Sequence, residues 1–173
     1  MGYRGKEAAH HQLARLNYKD YDAMELLGKV CHVDEDTLLD YISNNRINTY
    51  LNEGIIERCS DPNYSDVFRT TAYGKEFIED NLGIGCYSSN SPAHDEKLRD
   101  LYLSLSEEEQ DSWRTERELS REYCDTEYSV TDGAYVCQDT GELICVEIVT
   151  VNYDGSEGHD MFAESIGASY YEY

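Results

Sequence analysis

The sequence predicts an α+β protein built in two parts, and three observations lead there. Between Asn44 and Leu82 the residues read as helix, hairpin, helix. Ala134–Cys137 and Leu143–Val151 are two strand-like runs, with helical patterns before and after them. Charge is also divided unevenly: residues 1–90 hold 9 basic and 15 acidic side chains, residues 91–173 hold 5 and 21. Such an imbalance points to two parts with different tasks.

In the first part, Gly5–Leu16 has the spacing of a helix, and His10 and His11 within it point about 100° apart, a poor metal pair. Asp20 is a candidate N-cap for a helix over Tyr21–Cys31, with Met24, Leu27 and Val30 inward. Asp34 opens a second helix carrying Leu38, Leu39 and Ile42. Asn44 caps a third, with Ile47, Tyr50 and Leu51 on its apolar stripe and Gly54 just past its end. Ile55–Arg58 and Val67–Thr70 form a hairpin around Asp61, Pro62 and Asn63, and Thr71–Asn81 has the apolar spacing of a closing helix.

This order, with R-I-x-x-Y-L-x-x-G-I-I-E-R followed by T-x-x-G-K-E-F-I, resembles the winged helix-turn-helix superfamily. The resemblance implies a third helix that enters the DNA major groove and a hairpin that touches the backbone. Its candidate DNA-reading residues are Asn44, Arg46, Asn48, Thr49 and Asn52. Arg46 is the one base among them, and the hairpin tip SDPNYSD carries two acids and no base. The phosphate-binding half of such an interface is therefore missing, which disfavours DNA.

Residues 84–93 read as a linker between a unit at 1–83 and an acidic α/β module at 94–173. His94–Leu105 is amphipathic, with Leu98, Leu101, Tyr102 and Leu105 on one stripe. Ser106 and Glu109 have the spacing of a capping box. The run WRTERELSREY follows, with alternating charge at helical spacing. Asp139-Thr140-Gly141 joins the two strands, and both faces of the second strand are mostly apolar, the mark of a covered central strand. Glu147 interrupts that strand. Ser156–Ile166 and Ala168–Tyr173 complete the module as helix and strand.

The second part looks like the core of the restriction-endonuclease-like superfamily, whose motif is an Asp followed by Glu-x-Lys on the next strand. Asp132 and Glu147 match the carboxylates; Val149 stands where the lysine belongs, and no lysine occurs after Lys97. The resemblance thus implies a degenerate core with a vestigial metal site, without catalysis, bound metal or cofactor. Taken whole, the chain is similar over about 150 residues to the replication-relaxation family of plasmids and integrative elements. Those proteins join a winged helix to a nuclease-like module and handle DNA.

The formal net charge is −22. Non-specific DNA affinity comes from Lys and Arg, so this field repels DNA and attracts basic proteins. The densest acidic stretch is Glu107, Glu108, Glu109, Asp111, Glu116, Glu118, Glu122, Asp125 and Glu127. Carboxylates along helices imitate phosphates. The leading reading is an acidic inhibitor or regulator from a phage or mobile element, acting inside the bacterial cytoplasm. It would occupy the groove of a basic nucleic-acid-binding protein, as an anti-CRISPR protein or DNA mimic does with an effector nuclease. The alternative is a DNA-binding replication or mobilisation accessory, or a regulator, working as a homodimer through the third helix. A third reading is a Mg-dependent nuclease. The six cysteines are scattered without a C-x-x-C pair and read as buried free thiols. No run of about 18 apolar residues offers a membrane span.

Overall fold

The structure, a computed structural model, describes residues 16–150 and 158–173. Residues 5–15 of the helix expected at the N-terminus, with His10 and His11, lie outside the described residues, as do Val151 and the Ser156 start of the helix expected to Ile166. The described chain is mixed α+β with two small sheets.

Helix α1 spans Tyr18–Val30. Its N-cap is Asn17 rather than Asp20: Asn17 and Asp20 form a reciprocal capping box, so Asp20 lies inside the first turn. Strand β1, His32–Asp34, follows directly and was not apparent in the sequence, because three residues carry no period. Asp34 caps α2 (Glu35–Tyr41), and Ser43, one residue before Asn44, caps α3 (Asn44–Asn52). Strands β2 (Ile56–Arg58) and β3 (Val67–Thr70) form the hairpin, with a 3-10 turn at Pro62–Tyr64. Thr71 caps α4 (Ala72–Leu82), which ends at Gly83 in the left-handed region. The first sheet is antiparallel in the order β1-β3-β2.

The second half runs α5 (Pro92–Ser104), α6 (Glu107–Ser112), β4 (Arg114–Thr115), α7 (Glu116–Glu122), β5 (Gly133–Val136), β6 (Leu143–Glu147), α8 (His159–Ser165) and β7 (Ser169–Glu172). Ser106 and Glu109 form the capping box their spacing foretold, and Thr115 and Glu118 form another. The sheet order is β4-β5-β6-β7, with β6 and β7 parallel and the other pairs antiparallel. Strand β6 is central, as its apolar faces require, with Ile144, Cys145 and Val146 buried.

The segment read as a linker begins inside the core: Ile84, Cys86 and Tyr87 are buried. One apolar cluster runs from α1 through these residues to Leu98, Trp113 and Val146. Trp113 stacks on Tyr135 at 6.1 Å between ring centroids and meets Tyr102 edge-on. Lys29 of α1 crosses the same junction, donating to the Trp113 carbonyl at 2.7 Å and facing Glu118 at 3.4 Å. Two glycines are dictated by close approach. A Cβ on Gly74 would sit 1.9 Å from the Ile55 carbonyl oxygen, and one on Gly133 would sit 2.2 Å from the Trp113 ring.

The cysteines divide by position. Cys31, Cys86 and Cys145 are buried thiols, whereas Cys124 is exposed and Cys59 and Cys137 are half-buried. No helix among the described residues is long and apolar enough to cross a membrane.

Candidate functional site

On α3, Asn44, Asn48 and Asn52 lie four residues apart on one exposed face, and Thr49 turns its hydroxyl back to the Asn45 carbonyl. Arg46 does not join that face as a free base. Its Nε and Nη2 donate to the two oxygens of Asp20 at 2.6 and 3.0 Å, while Tyr50 donates to Asp20 Oδ1 at 2.7 Å. Asp20 is fully buried, so its charge depends on this clamp. Burial pushes the Asp20 carboxyl up, but the Arg46, Asn17 and Tyr50 hydrogen bonds together hold it below its ordinary value.

The remaining cations are similarly engaged. Arg58 pairs with Glu35 and lies over the Phe68 ring; Arg69 pairs with Glu57. Arg99 pairs with Asp34 and Asp100, Arg114 with Glu122, and Arg117 and Arg121 with Glu79. Each arginine among the described residues therefore contacts a carboxylate. Lys75 donates to Ser88 and Lys97 to the Val149 carbonyl, and Lys19 is exposed.

The nine acids of the expected partner surface do not act as one row. Glu109 is half-buried and serves α6, accepting from Ser106 and from the Gln138 amide. Glu118 likewise accepts from the Thr115 and Gly85 amides and faces Lys29. These two are structural. The other seven, Glu107, Glu108, Asp111, Glu116, Glu122, Asp125 and Glu127, are exposed. Glu107 and Asp111 share a cleft of about 300 Å³ with Asp22 and Glu25 of α1. Glu122, Asp125 and Glu127 line another, of about 640 Å³, beside Tyr123 and Tyr128. Burial first, and then the neighbouring Asp111 and Asp22, push the Glu25 carboxyl up, against the pull of Lys29.

Asp132, the residue just before β5, and Glu147, the last of β6, are brought together by the antiparallel register of the two strands. Glu147 Oε2 accepts from the Asp132 amide at 3.3 Å and lies 2.9 Å from His159 Nδ1. Asp132 is saturated. Tyr87 donates to Oδ1 at 2.7 Å; the Ile148 amide and His94 Nε2 reach Oδ2 at 2.8 and 3.0 Å. Val149 offers no base there, and its amide joins the ladder to Tyr173.

Asp132 is one end of a buried polar chain that spacing in the sequence did not reveal. His94 Nδ1 meets Asp95 Oδ1 at 3.0 Å, and Asp95 Oδ2 meets His32 Nδ1 at 2.6 Å. The order His32, Asp95, His94, Asp132 alternates base and acid, so each buried charge has an opposite neighbour. Burial alone would lower both imidazoles. The interactions with Asp95 and then Cys31 raise His32 to about 9, and those with Asp132 and Asp95 raise His94 to about 10. Cys31 adjoins the chain: its Sγ, a His32 ring nitrogen and an Asp95 oxygen lie within 4.8 Å of one another. Cys31 also has φ of +66°, uncommon outside glycine, where α1 turns into β1. The one sequence signal for this group was the adjacent Cys31-His32 pair; its partner stands more than sixty residues away.

The chain matches no protein-family model, no curated protein and no solved structure.

Proposed function

We propose that this protein is an acidic, protein-binding module that occupies the cationic groove of a nucleic-acid-binding protein. The observation that carries the reading is the fate of the positive charge. Every described arginine is consumed by a carboxylate of the same chain, while seven carboxylates of the 107–127 stretch face solvent. A surface with its cations neutralised and its anions exposed repels a phosphate backbone and steers toward basic partners. The fold supports a degenerate DNA-handling origin. The order α1-β1-α2-α3-β2-β3-α4 suits a winged helix, and the order β4-β5-β6-β7, with α8 bridging the parallel pair, suits a restriction-endonuclease-like core. Saturation of Asp132 by Tyr87, His94 and Ile148, together with Val149, argues against nuclease chemistry.

The test is capture of partners from a bacterial lysate after nuclease digestion, read by mass spectrometry at low and high salt. Retention of basic nucleic-acid-binding proteins, lost as salt rises, is the expected result. Retention of duplex DNA in a gel shift at low salt, with no protein retained, would replace this reading by the DNA-binding one.

A further inference from the structure

We propose that Cys31, His32 and Asp95 form a site for one divalent transition-metal ion of the zinc class. The three donors come from two elements, the turn into β1 and helix α5, and the fold alone brings them within 4.8 Å. Their chemistry suits a borderline-soft ion: one thiolate, one imidazole, one carboxylate. Charge suits it as well. A dication with a thiolate and a carboxylate is neutral, the form in which a buried ionic group is least costly.

Burial distinguishes a metal site from a nucleophile. Cys31, His32 and Asp95 are exposed by only 1, 2 and 0 %. A bulky substrate meets little of the Cys31 side chain, whereas a single ion is small enough to reach it from the cleft of about 530 Å³ that Cys31 borders with Thr70, Ser88 and Ser89. His32 also lines a cleft of about 360 Å³ with Asp34, Asp36, Asp66, Glu96 and Arg99; with Arg99 spent on Asp34, three acids remain to draw cations in. Behind the donors, His94 holds Asp95 Oδ1 at 3.0 Å and is itself held by Asp132. Such outer partners orient ligating carboxylates. In the metal-free arrangement one hydrogen bond of 2.6 Å joins His32 Nδ1 to Asp95 Oδ2. Two bonds of about 2.0–2.1 Å at a tetrahedral angle place such atoms roughly 3.3 Å apart, so the ion replaces the proton of that bond with a displacement under about 1 Å. Three protein donors leave a fourth position for water.

The experiment uses the full chain, stripped with a chelator and titrated with Co²⁺ and then Zn²⁺. Expected are one equivalent of Co²⁺, a near-ultraviolet thiolate-to-cobalt charge-transfer band, and loss of that band on adding Zn²⁺. Cys31→Ser should abolish the band and weaken Co²⁺ binding by about 100-fold or more, since even outer partners are worth about 10–100-fold. Cys124→Ser, at an exposed thiol, should keep the band. Absence of the band in the native chain, or its survival in Cys31→Ser, would overturn the proposal. Should Cys31→Ser fail to fold, alkylation of the native protein decides: Zn²⁺ should slow labelling of Cys31 and leave Cys124 unchanged. Equal labelling of Cys31 with and without Zn²⁺ also overturns it.

Discussion

Arg46 closes on Asp20 through two parallel hydrogen bonds, 2.6 Å from Nε to Oδ1 and 3.0 Å from Nη2 to Oδ2. The pair ties α3 to the first turn of α1, and Tyr50 completes it from one turn further along α3. A residue counted among the candidate DNA readers on sequence grounds is therefore a tertiary clamp.

Removing Arg46 leaves the buried Asp20 charge with only the Tyr50 hydroxyl and the Asn17 amide for support. Arg46→Ala should lower stability by about 3 kcal/mol, within the range for broken buried pairs. Urea denaturation measures it. Asp20→Asn in the Arg46→Ala background should recover part of the loss, because it removes the orphaned charge and keeps an amide oxygen for the Tyr50 hydroxyl and the Asn17 amide. A loss below about 0.5 kcal/mol in Arg46→Ala would show the pair to behave as a surface bridge.

The same clamp sets an acid limit. Asp20 titrates below its ordinary value in the fold, so the unfolded chain binds its proton first as pH falls. Its contribution is complete above about pH 4, the ordinary carboxyl value, and drains away as pH drops through the lower folded value. Thermal melts between pH 5 and pH 2 should show a shallower acid slope in Asp20→Asn than in the native chain. Parallel slopes would remove Asp20 from the acid transition.

Gly133 faces Trp113 at a distance no Cβ tolerates. Gly133→Ala should cost about 1–3 kcal/mol by overpacking. Because Trp113 is the sole tryptophan, its fluorescence should change in the folded state as well. Gly74→Ala, pressed against the backbone of Ile55, should destabilise the first sheet with native Trp113 emission. Unchanged melting in both variants would contradict the packing described.

The two acidic clefts separate the surfaces available to a basic partner. Glu107→Gln with Asp111→Asn discharges one, and Asp125→Asn with Glu127→Gln the other. One set should slow association severalfold and flatten its salt dependence, leaving melting unchanged. Equal effects from both would indicate a diffuse field without a docking face. Glu109→Ala, which removes the N3 member of the α6 capping box, should instead lower the melting temperature.

Incubation of plasmid with Mg²⁺ or Mn²⁺ should give no cleavage above that of Glu147→Ala. Nicking by the native chain alone would restore Asp132 and Glu147 to a catalytic role.

Much of the architecture was legible because it rests on local rules. The periods of α1, α3, α4 and α5, the Ser106–Glu109 box and the two-faced apolar pattern of β6 each follow from neighbours in the chain. Boundaries slipped where two residue types compete for a cap, as Asn17 and Asp20 do. Short β1 was invisible for want of a period, and 84–87 looked like a linker because Gly, Ser and Asn surround its buried Ile84, Cys86 and Tyr87.

The sequence by itself determined the −22 charge and most of the succession of helices and strands, β1 and β4 excepted, while resemblance alone singled out Asp132 and Glu147 as a pair. Only the tertiary structure decided which charges remain outside and which are spent within. Arg46 meets Asp20 across 26 positions, and His32 meets Asp95 across 63. Contacts at such separations obey no period, since they arise where independently formed helices and sheets pack and buried charge must find its opposite.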